Sequence, residues 1–180
     1  WSVEPDMITF AKGSTCGYFP IGGVIVSEKI ANYFDDNKMF CGLTYSAHPV
    51  GCAAIIATMD AYIEDKIFDN VLKVGKVLGE LLEELKAKHA CVGDVRYIGI
   101  FSCIELVKDK ATREPMVEYG KDPEGVMAKI IGMLKAEGFS TYYIENMVHV
   151  YPPLIITEQE LRDAMKVMDK VLDSVDNMIK

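Results

Sequence analysis

Two kinds of hydrophobic pattern alternate along this chain: short apolar runs and long stripes with helical spacing. Apolar and β-branched runs at residues 7–11 and 22–27 predict strands, and Ser27 is placed to begin a short helix after the second. Pro49 suits the first turn of another helix. Apolar residues then recur every three or four positions over residues 66–89, which predicts a long amphipathic helix.

The pattern changes near residue 90, where a smaller mixed unit begins. The elements predicted after it are a strand or hairpin at 95–107, a helix at 123–137 ended by Gly138, strands within 140–154, and a helix at 157–179 that begins after Thr157. This order divides the chain into residues 1–89 and an α+β unit of residues 90–180. We expect the sheet of the second unit to be covered on one side by its two helices.

Amino-acid composition excludes several functional classes of protein. The 180 residues carry 19 Lys and Arg against 27 Asp and Glu, a formal net charge of -8, which argues against a nucleic-acid partner. No apolar run approaches the roughly 20 residues of a membrane span. The five cysteines form no C-x-x-C pair, so we expect free thiols, no metal site and a cytoplasmic location. Because the sequence begins with Trp1, it is either a processed chain or a piece of a longer protein.

Lys12 occupies an unusual place, directly after an apolar strand and before the glycine-rich turn of residues 13–23. One interpretation is a surface lysine that keeps its ammonium group in water. The other is a catalytic amine that attacks a carbonyl, as in a Schiff base with pyridoxal phosphate (PLP). Glycines beside it would let the backbone approach a bulky ligand.

A second stretch, residues 42–57, presents Thr44 and Ser46 just ahead of the predicted helix start. Hydroxyls and free N–H groups at such a position suit a phosphate, although Ser and Thr also cap helices routinely. Tyr18, within the glycine-rich turn, is placed either to line a substrate pocket or to pack in the core. We interpret His48 as a helix-start residue rather than an acid or base.

Together, "PDMITFAKG" and "GLTYSAHPVGCAA" strongly resemble the class III (omega) aminotransferases. The family pattern runs roughly D-x-x-T-x-A-K-G, then G-Y-x-P-x-G, then T-x-x-x-(H or N)-P-x-x-C/A-A-A. The residues that match it are Asp6, Thr9, Ala11, Lys12, Gly13, Gly17, Tyr18, Pro20, Gly22, Thr44, His48, Pro49 and Ala53. "GIFSCIELVKDKATREP" and "VYPPLIITEQEL" extend the resemblance over essentially the whole chain.

The resemblance implies an α/β, fold-type-I PLP transferase. Residues 1–89 would be the trailing part of the PLP-binding large domain with its connecting helices, and residues 90–180 the α+β small domain. Lys12 would form the Schiff base with PLP, Thr44 would contact the cofactor phosphate from the neighbouring subunit of a homodimer, and Tyr18 would line the substrate pocket. The implied substrates are a small amine or ω-amino acid and a keto acid such as pyruvate or 2-oxoglutarate.

Two departures from the family matter. Its glycine-rich phosphate turn, its ring-stacking aromatic and the Asp that pairs with the pyridine nitrogen lie upstream of these motifs and are absent here. Some members also carry a carboxylate-binding arginine where this chain has Glu158, with Arg162 one helical turn later. Two alternatives therefore stay open: a catalytically inactive folding or dimerisation unit, and a PLP aminomutase, racemase or decarboxylase.

Overall fold

The structure, a computed structural model, describes residues 2–179. The strands are β1 (Met7–Phe10), β2 (Gly23–Val26), β3 (Val92–Ile98), β4 (Phe101–Asp109), β5 (Glu114–Pro115), β6 (Tyr143–Ile144) and β7 (Met147–Val150). The helices are α1 (Glu28–Asp36), α2 (Pro49–Glu64), α3 (Ile67–Lys88), α4 (Val126–Ala136) and α5 (Glu158–Met178). The chain divides into two compact units between Lys66 and Ile67.

The first unit consists of a two-stranded antiparallel sheet and two helices. β1 pairs with β2 so that Ile8 lies opposite Ile25, and α1 and α2 begin where the sequence predicts. Among the described residues before Ile67, no large hydrophobic side chain is buried. Ile25 in β2 is 58% exposed. Because two strands alone rarely form a stable sheet, this unit presents apolar surface that further polypeptide would cover.

The second unit is built on an antiparallel sheet of order β3-β4-β7-β6, with β5 paired to β4. β3 and β4 form the hairpin allowed for in residues 95–107, and Ile98 lies opposite Phe101 at its turn. Along β4, Ser102, Ile104 and Leu106 are buried, whereas Cys103 and Glu105 of the opposite face remain partly exposed; on that face Val107 is buried. One face of the sheet is therefore covered, as the alternation of a half-buried strand requires.

Three helices, α3, α4 and α5, cover this face of the sheet.

The boundary between the compact units lies at residue 66 and not near residue 89, as the sequence suggested, because α3 packs against β3 and α5. The apolar stripe of α3 is buried in the same core as the sheet. The members that lie in this core are Val74, Leu78, Leu82 and Leu85, and Ile67 is buried at the start of the helix.

Helix boundaries follow local hydrogen bonding. α4 begins at Val126 rather than near residue 123, because the carboxylate of Asp122 accepts from the N–H groups of Val126 at 2.7 Å and Met127 at 3.0 Å. Gly138, at φ 85°, follows α4 in the left-handed conformation that glycine adopts most easily. Thr157 and Glu160 cap α5 reciprocally. Within residues 2–179, none of the helices combines the length and hydrophobicity needed to cross a bilayer.

A buried histidine joins α3 to α5. His89 is completely buried, and its ring nitrogens lie 2.8 Å from Asp169 Oδ1 and 2.8 Å from Asp176 Oδ2. Asp176 also accepts from the N–H of Cys91 at 2.8 Å. Lys88 contacts Asp169 at 2.7 Å, so a cation already lies beside these carboxylates. We call these residues the His89 cluster.

Candidate functional site

Lys12 begins a single 3-10 turn, Lys12–Ser14, after β1 has ended at Phe10. Its φ is 52°, in the left-handed region that non-glycine residues seldom occupy. Such a conformation costs on the order of 1–3 kcal/mol and persists only where the surrounding structure imposes it. Lys12 is exposed, and within residues 2–179 its ammonium group forms no ion pair. The amine predicted to be catalytic therefore lies at a strained strand end and is not held by a carboxylate.

The loop after Lys12 folds back on itself through short-range hydrogen bonds. The N–H of Thr15 donates to the carbonyl of Lys12 at 3.2 Å, and Thr15, itself buried, donates its hydroxyl to Phe19 at 2.7 Å. Tyr18 is 89% exposed. In the described chain Tyr18 therefore does not pack in a core, which leaves the pocket-lining interpretation as the one to test.

Tyr62, on α2, is a neighbour of the lysine loop that the sequence analysis missed. Its hydroxyl donates to the carbonyl of Gly13 at 2.7 Å and lies 3.4 Å from Cys16 Sγ. The hydrogen bond with Cys16, together with burial, raises the pKa of Tyr62 to about 12. No local pattern links Tyr62 to Gly13, because the two residues are 49 positions apart and meet only when α2 packs against the loop.

Thr44 lies in the exposed turn that precedes α2. The N-cap of α2 is His48, without a side-chain cap, so the helix-cap interpretation of Thr44 fails. Ser46 does not cap α2 either, since its hydroxyl accepts from the N–H of Leu43 at 3.3 Å. The first-turn N–H groups of α2 therefore have no side-chain acceptor within residues 2–179 and favour an anion.

His48 marks the start of α2, as interpreted from sequence, and its ring packs against Phe19 with centroids 5.0 Å apart. Lys12 and Thr44 belong to the same compact unit. Within residues 2–179, no hydrogen bond joins them. The structure thus places both residues in the lysine-bearing unit without bringing their side chains into contact.

Arg162 forms an ion pair with Glu158. Its Nε and Nη2 lie 3.0 Å and 2.9 Å from Glu158 Oε1, one helical turn apart on α5. Lys73 Nζ approaches the same carboxylate at 3.8 Å. Glu158 stands where some aminotransferases carry a carboxylate-binding arginine. Because an exposed pair of this kind is worth only about 0.3–0.5 kcal/mol, a substrate carboxylate would displace Glu158 from Arg162 at little cost.

Comparison with known proteins matches this chain to one family of aminotransferases. The profile of the family described as aminotransferase class-III covers residues 1–172. Taurine–pyruvate aminotransferase of Bilophila wadsworthia is 33% identical over 188 aligned residues, 98% of this chain and 40% of that protein. An ethanolamine-phosphate phospho-lyase homolog of Caenorhabditis elegans is 32% identical, over 93% of this chain and 35% of its own length.

A solved structure agrees at the level of the fold. The crystal structure of taurine:2-oxoglutarate aminotransferase from Bifidobacterium kashiwanohense, in complex with PLP and glutamate, is 44% identical and superposes with a TM-score of 0.92. The alignment covers 99% of this chain and 40% of that one. This chain therefore spans about two fifths of the length of the proteins it matches.

Proposed function

The chain belongs to the class III aminotransferases, and from that premise we propose that it carries the reactive lysine of a PLP-dependent aminotransferase. The whole enzyme would move an amino group from an amine or ω-amino acid to a keto acid such as pyruvate or 2-oxoglutarate. The observation that carries this proposal is the position of Lys12, exposed at a strained strand end within the family's matched segment.

The residues of this chain fit PLP at its two ends. Lys12 offers an amine that no carboxylate holds within residues 2–179, and a lysine committed to an ion pair would be less available to a carbonyl. The exposed turn at Thr44 lies beside the uncapped N-terminus of α2, where a hydroxyl and free N–H groups suit a phosphate. We therefore assign the carbonyl end of the cofactor to Lys12 and its phosphate end to Thr44.

In the proposed reaction, the cofactor and the protein side chains would have different tasks. Bound PLP supplies an electron sink for the carbon that loses its proton. Lys12 Nζ would hold the cofactor at its carbonyl end and, when free, would serve as the base that takes a proton from the substrate carbon. Thr44 would hold the phosphate and so keep the cofactor oriented. Tyr18 lines the substrate side.

We also propose that the enzyme is a homodimer in which Thr44 serves the site of the partner subunit. One observation supports a further polypeptide surface against the first unit: among the described residues, its sheet and helices have no buried core of large hydrophobic side chains. The five free cysteines fit a reducing compartment, so we propose a cytoplasmic location.

Taurine is the first donor to test, because two of the relatives named above act on it. Glu158 pairs with Arg162, so binding of the donor's acidic group by Arg162 would require this exposed pair to open. A phospho-lyase is the second candidate function, favoured by the Caenorhabditis elegans relative. Alanine formed from pyruvate identifies transamination, whereas inorganic phosphate released from ethanolamine phosphate identifies lyase activity.

The proposal is tested in the full-length chain loaded with PLP. Borohydride reduction followed by peptide mass spectrometry should place the cofactor on the peptide that contains Lys12, and Lys12→Ala should abolish both this label and turnover. Lys66→Ala is the matched control, because Lys66 is another exposed lysine of the same unit with a left-handed backbone, at φ 51°. A label on another lysine, or turnover in Lys12→Ala, would refute the assignment.

A further inference from the structure

We propose that Tyr62 is a positioning residue for Lys12: its hydroxyl holds the carbonyl of Gly13 and thereby maintains the left-handed backbone from which the lysine side chain departs. The inference rests on the proposed function, since it matters for catalysis only if Lys12 carries the cofactor. Tyr62 would not touch the reacting atoms and would act through the backbone of the lysine loop.

The backbone hydrogen bonds that directly surround Lys12 are long. The turns of the loop rest on hydrogen bonds from the N–H of Ser14 to Ala11 at 3.3 Å, of Thr15 to Lys12 at 3.2 Å, and of Cys16 to Gly13 at 3.4 Å. These lengths lie at or beyond the long end of the usual N–H···O range, about 2.7–3.2 Å. The bond from Tyr62 to Gly13, at 2.7 Å, has the usual length of an O–H···O hydrogen bond, as does the bond from Thr15 to Phe19 further along the loop. Next to Lys12, the tether of ordinary length therefore comes from a helix outside the loop.

The tether acts next to the strained residue. Fixing the Gly13 carbonyl fixes the peptide plane that joins Gly13 to Ser14. The N–H of Ser14 lies in the same plane and donates to the carbonyl of Ala11, which closes the turn around Lys12. Cys16 is also left-handed, at φ 49°, and its thiol contacts the same phenol. Both unusual backbone positions thus lie within reach of one side chain on α2.

The phenol is suited to this role because it stays protonated. A carbonyl oxygen can only accept, so the Tyr62 proton points at Gly13. The thiol of Cys16 lies within reach of the same carbonyl, at 3.8 Å, and of the phenol oxygen, at 3.4 Å. The pKa of Tyr62, raised to about 12, keeps the proton in place throughout the working range of pH. The support itself is a 16-residue helix, and a site held from a helix is more precise than one held from a loop.

The test uses Tyr62→Phe in the full-length, PLP-loaded enzyme, since phenylalanine keeps the ring and removes only the hydroxyl. Tyr33→Phe is the matched control, because Tyr33 is an exposed tyrosine on another helix of the same unit. We expect Tyr62→Phe to slow covalent attachment of PLP to Lys12, and to lower kcat, by about 2- to 10-fold, the worth of one hydrogen bond. KM for the keto acid should stay within about 2-fold, because substrate contacts are untouched.

The outcomes separate the two proposals. If the wild-type enzyme carries no label on Lys12, the proposed function fails and the role of Tyr62 fails with it. If wild type is labelled at Lys12 and Tyr62→Phe attaches PLP as fast as Tyr33→Phe, only the positioning role is refuted. A lower melting temperature in Tyr62→Phe with an unchanged attachment rate also refutes it, because the hydroxyl would then merely stabilise the fold.

Discussion

Gly75 and Gly132 both lie inside helices of the second unit, but their surroundings differ. A methyl group at Gly75 would lie 2.9 Å from the backbone Cα and carbonyl carbon of Gly99, which cannot move without shifting the β3–β4 turn. A methyl group at Gly132 would meet nothing within 4 Å. We expect Gly75→Ala to destabilise the protein by about 1–3 kcal/mol through overpacking. Gly132→Ala should stabilise it by about 0.5–1 kcal/mol, because alanine favours helix.

Urea titration followed by circular dichroism measures both changes. The two variants make the same chemical substitution in the same secondary structure, so each controls for the other. A Gly75→Ala variant as stable as wild type would mean that α3 and the β3–β4 turn are not in the close contact described.

At the scale of elements, the His89 cluster links α3 to α5 and makes their packing sensitive to acid. Burial alone would raise the pKa of Asp176, but hydrogen bonds from Cys91 and His89 outweigh it and hold that pKa below the usual 3.8. A carboxyl with a lower pKa in the folded than in the unfolded chain stabilises the fold above its unfolded pKa, and this contribution is lost as pH falls through the folded value. We therefore expect stability to fall below about pH 4.

Asp176→Asn tests the link. The variant should lose about 1.5–3 kcal/mol at neutral pH, the worth of a hydrogen bond to a charged group, and should show a flatter decline in acid. Asp173→Asn is the control, since the side chain of Asp173 is 60% exposed and lies 3.8 Å from His89. Stability of Asp173→Asn should change by less than about 1 kcal/mol. Parallel acid titration curves for wild type and Asp176→Asn would contradict the assignment.

Elements were predictable where the signal was local. The stripe of α3, the cap at Thr157 and the strand before Lys12 all depend on residues within a few positions of one another. The link from Tyr62 to Gly13 and the attachment of α3 to the second unit depend on side chains that meet only after folding. The predicted start of α4, residue 123, is three residues too early. Asp122 accepts from the first N–H groups of the helix across the turn that contains Pro123 and Gly125, and this turn precedes the helix.

The same distinction holds for the candidate site. Lys12 and Thr44 could be proposed because they stand in an ordered pattern of residue types, but nothing in that pattern reveals a left-handed backbone at Lys12. Their roles with PLP, and that of Tyr18, stay predictions until the cofactor is located on the protein. The family itself and its fold are confirmed by the match over residues 1–172 and by the superposition with solved structures.

Across the whole molecule, the buried core is unevenly distributed. Every buried large hydrophobic side chain among the described residues lies at or after Ile67, including Ile104 and Leu106 of β4. In the isolated 180-residue chain we expect amides of β4 to be among the slowest to exchange with deuterium, and amides of β1 and β2 to exchange fastest among the strands. Exchange followed by peptide mass spectrometry checks this order. Protection of β1 equal to that of β4 would contradict it.

The left-handed backbone at Lys12 sets two selective pressures against each other. Glycine would occupy that conformation at no steric cost, and asparagine at less cost than lysine, whereas only lysine brings the amine that the proposed reaction needs. A lineage that uses Lys12 as proposed would therefore keep a less stable loop. A duplicated copy released from that chemistry would gain stability by exchanging Lys12 for glycine or asparagine. Substitution at position 12, more than at neighbouring positions, would then distinguish inactive copies from active ones.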